Sequence, residues 1–214
     1  MRNSLFIVIV SLGLAACEEP VARNTGAYML LDTSGTYSAE LAKAERIITY
    51  TLSRLEPADS FAVARIDTGS FSEKDIVAKV TFNDRPSTAN SQKRQFSERI
   101  GRFVDGVGAA AHTDITGGLL QAIEFLNEKQ TGRKIIFIFS DLEEDLLDGY
   151  VRDIPLELDG FEVVALNVTK LRADNVDPRE YLMRLEEWQG RVESGGGTWR
   201  VINDLDRLET LLET

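Results

Sequence analysis

The chain has 214 residues and carries 35 acidic against 24 basic side chains, a formal net charge of −11 at pH 7. That excess argues against nucleic acid or an anionic membrane surface as a partner held by charge. With 43% hydrophobic and 28% charged residues, the composition is that of one globular domain with a sizeable core.

Arg2 puts a positive charge ahead of the mostly apolar stretch Leu5 to Leu14, which closes on Leu14-Ala15-Ala16-Cys17. The apolar part is too short for a permanent spanning helix, so residues 1–16 read as an export signal. The ending resembles the lipobox of bacterial lipoproteins, which implies that Cys17 is lipidated. A plain secretory signal with an incidental cysteine is the alternative. Cys17 is the only cysteine, so lipidation also explains an exported chain without a disulfide. The lipoprotein resemblance implies two to three acyl chains, enough for firm anchoring. Glu18 is not the aspartate associated with inner-membrane retention. The expectation is therefore a bacterial envelope protein, lipid-anchored in the outer membrane and facing the periplasm. Residues 17–26 form a short tether and residues 27–214 the folded domain.

The apolar run Tyr28 to Leu31 predicts a buried strand that stops at Asp32. Leu41, Ala44, Ile47, Ile48, Leu52 and Leu55 recur at helical spacing and predict a helix over 38–55, with Ser38 as N-cap and Pro57 beyond its end. Phe61 to Ile66 is a second buried strand. Ile76, Ala78, Val80 and Phe82 alternate with other residues, the mark of a half-exposed antiparallel edge strand. From Pro86 a helical stripe follows, through Phe96, Ile100, Phe103, Val104 and Val107. A third helix carries Leu119, Leu120, Ile123 and Leu126. Ile135 to Phe139 has the continuous apolar character of a central parallel strand. Phe161 to Val168 predicts another strand, and Tyr181, Leu185, Trp188 and Val192 stripe a helix expected to pack in the core. Gly195 to Gly197 turn the chain into a strand at Trp199 to Ile202, and Leu205 to Leu212 is a last helix. Alternating strands and helices predict an α/β fold: a doubly wound, Rossmann-like, mostly parallel sheet with one antiparallel edge strand and helices on both faces.

Open sheets of this kind place their sites at the carboxyl ends of the strands. Asp32, Ser34 and Thr36 sit at alternate positions, so an extended segment would aim all three the same way. One carboxylate and two hydroxyls are hard donors, suited to Mg2+ rather than a soft metal.

Asp32-Thr33-Ser34-Gly35-Thr36 resembles the DxSxS/T signature of von Willebrand factor type A (VWA) domains, which opens the metal-ion-dependent adhesion site (MIDAS) of that family. Two further pieces match. Thr113, followed by Gly118 and Leu119, resembles the family's T-x-x-x-x-G/A-L helix start. Asp141, directly after the run ending in Ser140, resembles its third-loop aspartate. The closing GGG-x-W-x-V segment also looks like the family's last strand, so the resemblance spans about residues 26–213. It implies Mg2+ (or Mn2+) held by Asp32, Ser34, Thr36, Thr113 and Asp141, directly or through water. It also implies a protein partner whose Asp or Glu carboxylate completes the ion's shell. One departure is Leu142, where family members commonly have glycine after the third-loop aspartate. Leucine resists the positive φ that glycine allows, so this loop is expected to run differently and the ion's occupancy stays open.

Structural roles remain open for each residue. Asp32, Ser34 and Thr36 could satisfy backbone donors in the turn. Thr113 or Asp114 could cap the next helix, and Asp141 could bind loop amides. His112, the single histidine, reads as structural or solvent-facing. Glu143, Glu144, Asp145 and Asp148 read as a solvated face, with a second cation site or a charge filter as alternatives. The expected function is an envelope-anchored binding module, not an enzyme. A metal-free scaffold and a Mg-dependent hydrolase are the alternatives. The hydrolase lacks a nucleophile with an adjacent base, a GxSxG elbow and a P-loop.

Overall fold

The computed structural model describes residues 23–35, 37, 40–168, 177–203 and 205–212. Cys17, the export signal, Thr36 and Ser38 lie outside the described residues. The elements run β1 (Thr25–Asp32), α1 (Leu41–Arg54), β2 (Ser60–Ile66), β3 (Ile76–Thr81), α2 (Pro86–Gly106), α3 (Ile115–Lys129), β4 (Arg133–Phe139), β5 (Phe161–Leu166), α4 (Pro178–Ser194), β6 (Thr198–Ile202) and α5 (Leu205–Leu212).

The strands form one sheet in the order β3-β2-β1-β4-β5-β6. Only β3 is antiparallel to its neighbour; the other pairings are parallel. The doubly wound α/β expectation holds, with the alternating strand at one edge and the most apolar strand, β4, beside β1 in the centre. Burial explains that order. In β1 and β4 the side chains of Ala27 to Leu31 and Ile135 to Phe139 have no exposed surface, so both faces must be covered.

Two cores provide the cover. On one face Met29, Leu31, Phe61 and Phe137 pack under α1, α2 and α5. On the other, Tyr28, Leu30, Ile136 and Ile138 pack under α3 and α4. This second core also takes Leu142, Leu156 and Leu158 from the irregular segment between β4 and β5. Trp188 and Val192 are buried as expected, while Tyr181 and Leu185 only flank the core.

Two of the boundaries that differ from the sequence expectation have a local cause. Helix α1 begins at Leu41 behind Glu40, whose side chain makes no capping bond. Strand β5 ends at Leu166 rather than Val168, because Asn167 turns left-handed at φ 54° and leaves the ladder.

Helix α3 lies close to β1 because it starts with two buried glycines. A Cβ on Gly118 would come within 2.8 Å of Leu30 Cδ2. Gly118→Val should therefore force the helix away and lower stability by roughly 1–3 kcal/mol. The measurement is the urea midpoint at unchanged slope; a wild-type midpoint would refute the close-approach argument.

Candidate metal centre

Parallel register sets the first part of the site. Leu31 pairs with Phe139, so Asp32 and Ser140 leave the ladder side by side. Asp32 is 1% exposed. Its Oδ1 accepts from the Ser34 amide at 2.8 Å and its Oδ2 from the Ser140 hydroxyl at 2.6 Å. A buried carboxylate is thus held by one amide and one hydroxyl, with no cation beside it among these bonds.

The second loop is stitched to the first and third through backbone bonds. The Ala110 amide donates to the Thr33 carbonyl at 2.8 Å. Thr113 and Asp145 exchange amide-to-carbonyl bonds at 2.8 and 3.0 Å. The Thr33 hydroxyl ties the first loop to the end of β2 through the Ile66 carbonyl at 2.9 Å. The three loops therefore form one rim.

Ser34, Thr113 and Asp141 line one cavity of about 290 Å³ at this rim, together with Gly35, Glu143 and Asp145. Asp32 is buried and is not part of the lining. Thr113 is buried, and among the described residues its hydroxyl makes no hydrogen bond. Asp141 is 3% exposed; its Oδ1 accepts from the Glu143 amide at 3.0 Å. Arg184 donates to the Asp141 backbone carbonyl at 3.3 Å rather than to the carboxylate. Burial, then the charges of Asp32 and Glu143, lift the Asp141 carboxyl to about 6, against the opposing effects of that amide and of Arg184.

No group of three carboxylate, imidazole or thiolate side chains placed for a metal occurs among the described residues. The donor set is instead two buried carboxylates with hydroxyls between them. Such a set fits a small hard cation that keeps some of its waters.

Leu142 takes up the left-handed backbone conformation that its side chain was expected to resist. That residue adopts φ 67°, the conformation expected of glycine. Three contacts hold it there. Its side chain is buried in the second core, its amide donates to Ser140 Oγ at 3.0 Å, and its carbonyl accepts from the Trp188 indole at 3.0 Å. Tertiary packing overrides the local preference.

Of the two N-cap candidates for α3 the structure uses Asp114, whereas its partner Arg152 and the partner of Glu144, Arg191, were not singled out by sequence. Asp114 is the actual N-cap of α3, bonding the Gly117 amide at 2.7 Å. It also accepts from the Ser70 amide at 3.0 Å and pairs with Arg152 at 2.7 Å. Arg152 lies on the irregular segment after β4; the available signal was an arginine closing an acidic run. Glu144 is no part of a solvated face. It accepts from the Thr116 amide at 2.7 Å and pairs with Arg191 at 3.2 Å. Asp145 bonds His112 Nδ1 at 3.1 Å, so the histidine is structural and partly exposed.

No family model matches the chain, and no curated protein matches it in sequence. Solved structures do match in shape. A von Willebrand factor type A protein from Catenulispora acidiphila superposes with a TM-score of 0.60 over 90% of this chain, at 15% identity. The open conformation of the pilus adhesin SpaC from Lactobacillus rhamnosus GG gives 0.57 over 92%, at 14% identity. The fold is von Willebrand factor A-like. The chain spans 42% and 30% of the length of those two proteins, so the VWA-like fold is what they share.

Two measurements test this rim. Protonated Asp141 is the better tolerated form in the fold, since its value of about 6 lies above the ordinary 3.8. Its contribution to stability is thus full below 3.8 and is lost as pH rises through about 6, a swing of roughly 3 kcal/mol. In chelator, Asp141→Asn should gain on wild type as pH rises across that window. Taking the difference cancels Asp59 and Asp75, which burial also raises. A constant gap would refute the assignment.

At Leu142, both Leu142→Ala and Leu142→Gly remove buried surface and should destabilise by about 2–4 kcal/mol. Only glycine relieves the left-handed strain, so it should be the more stable of the two by about 1 kcal/mol in urea unfolding.

Proposed function

We propose that this chain is an envelope-anchored, VWA-like binding module that uses a divalent cation at the rim to hold a partner protein. The observation that carries this reading is the cavity shared by Ser34, Thr113 and Asp141 at the rim, with Asp141 buried and without a cationic partner at its carboxylate. Buried carboxylates are normally paired or hold metal. Ser34, Thr113 and Asp141 would hold Mg2+ or Mn2+ with Thr36, while Asp32 contributes charge from the buried end of β1. When bound, the ion would supply an electrophilic position open to an Asp or Glu of the partner. Few charged ligands leave that electrophilicity largely intact. That the pilus adhesin SpaC has the same fold agrees with a binding role.

The anchor belongs to the same reading: residues 1–16 as signal, Cys17 as the lipidated residue and the outer membrane as its site. Cys17→Ala should release the protein from the membrane fraction, and continued fractionation with membranes would refute the anchor.

For the ion, Mn2+ or Mg2+ at about a hundred times its Kd stabilises by about 2.7 kcal/mol. In a domain of this size that raises the melting temperature by roughly 5–10 °C. Thr113→Ala and Asp141→Ala should abolish the rise. Unchanged melting of wild type up to several millimolar ion would favour the metal-free scaffold. Partner capture with wild type and Asp32→Ala, each with and without chelator, reads the second half of the proposal.

A further inference from the structure

The chain is acidic overall, yet one groove on it is basic. It runs between β3 and α2 along the free edge of the sheet, in two parts that share Arg99. The wider part, about 560 Å³, is walled by Arg65, Lys74, Arg99 and Arg102, with Asp75 as its carboxylate. Val77 and Phe103 form its apolar floor. The narrower part, about 220 Å³, continues past Val80 and Gln95.

Charge in the groove is only partly cancelled from within. Arg65 is engaged by Asp67 at 3.1 Å and Asp75 at 3.3 Å, and Lys79 by Glu73 at 2.9 Å. Lys74, Arg99 and Arg102 are exposed and form no ion pair among the described residues. A chain with 35 acidic side chains against 24 basic ones offers carboxylates freely, so three uncancelled cations around one groove are a local feature.

The strand beside them has an open side. Among the described residues β3 pairs only with β2, so the outer backbone edge of Ile76–Thr81, beside the groove, has no ladder partner there. An edge of six residues spans about 20 Å. Exposed edges recruit extended peptides through main-chain bonds, and flanking side chains select them. Edge strands are also guarded by lysines and bulges. Lys79 and the register shift at Val63/Ala64 supply that guard, which leaves Lys74, Arg99 and Arg102 without a role in it.

We propose that this groove binds an acidic, extended segment of a partner protein, added as a further strand on β3 with its carboxylates on Lys74, Arg99 and Arg102. The net charge of −11 decides against a long polyanion, which the whole molecule repels, and for a short acidic stretch that meets only the local cations. The site is separate from the rim at Asp32, with β2 between them in the sheet, and requires no ion.

The test is titration of the full chain, in chelator, with a fluorescent peptide of about eight residues alternating glutamate and valine. Wild type should bind it, more tightly at low than at physiological salt. Arg99→Glu/Arg102→Glu should weaken binding by about tenfold or more at unchanged thermal melting. Lys74→Glu, on the turn before β3, should weaken it without touching α2. A backbone N-methylated peptide of equal charge should bind at least about tenfold more weakly, because it cannot pair as a strand. Equal binding of the methylated peptide, equal binding by the double variant, or no binding by wild type would each overturn the proposal. So would a short polyphosphate that competes as well as the peptide. Because chelator is present throughout, failure here leaves the rim reading untouched, and failure of the rim reading leaves this one standing.

Discussion

The rim depends on one buried hydrogen bond, from the Ser140 hydroxyl to Asp32 at 2.6 Å. Register makes it unavoidable. Two parallel central strands end together, and the residues just past Leu31 and Phe139 must meet where the ladder stops. A hydroxyl there steadies the carboxylate without bringing a countercharge. Because Ser140 also accepts from the Leu142 amide, the same side chain fixes the start of the third loop. The first and third loops are thereby one unit, and the second is sewn to both through Ala110 and Thr113.

Three aspartates lie buried around this rim, and the fold treats them differently. Asp114 receives an arginine and two amides. Asp32 receives an amide and a hydroxyl. Asp141 receives one amide, and the nearby arginine is spent on its backbone carbonyl. Removing a carboxylate from water without compensation costs several kcal/mol. Asp114 is compensated and therefore belongs to the scaffold, where it joins α3, the turn at Ser70 and the segment at Arg152. Asp141 is the least compensated and also opens onto the cavity. That asymmetry separates architecture from site better than proximity does.

The sheet was legible in sequence because each strand is a short apolar run and each helix a stripe, and because only β3 alternates. The rim residues Asp32, Ser34, Thr113 and Asp141 were legible for a related reason: each lies at a strand's end or within two residues of a strand's end or a helix's start, so topology brings them to one edge. Thr36 lies outside the described residues. What was not legible depends on the path of residues 140–160, which has no period. Nothing local announces that Arg152 reaches Asp114 or that Arg191 reaches Glu144. Leu142 shows the limit of a local rule. Its side chain predicts resistance to positive φ, yet burial and the Trp188 hydrogen bond outweigh a cost of about 1–2 kcal/mol. The early end of β5 has the opposite cause: Val168 continues the apolar pattern, but Asn167 can leave the strand left-handed with little strain.

Charge gives the two proposed binding surfaces opposite conditions. The rim cavity is lined by Asp141, Glu143 and Asp145 on a molecule that is already negative. A partner carboxylate approaching it bare meets repulsion at close range, which the low dielectric of a buried site strengthens. On the proposed reading, a cation must enter first, and the acidity that draws it in also rejects the partner until it is there. The groove beside β3 has no such gate, since its cations are side chains and are present at all times. If both proposals hold, one chain seeks carboxylates in two ways, conditionally at the strand ends and unconditionally at the sheet edge. Salt separates them as well. Attraction at the exposed groove is screened within about 10 Å at ordinary ionic strength, whereas direct coordination to a buried ion is screened far less.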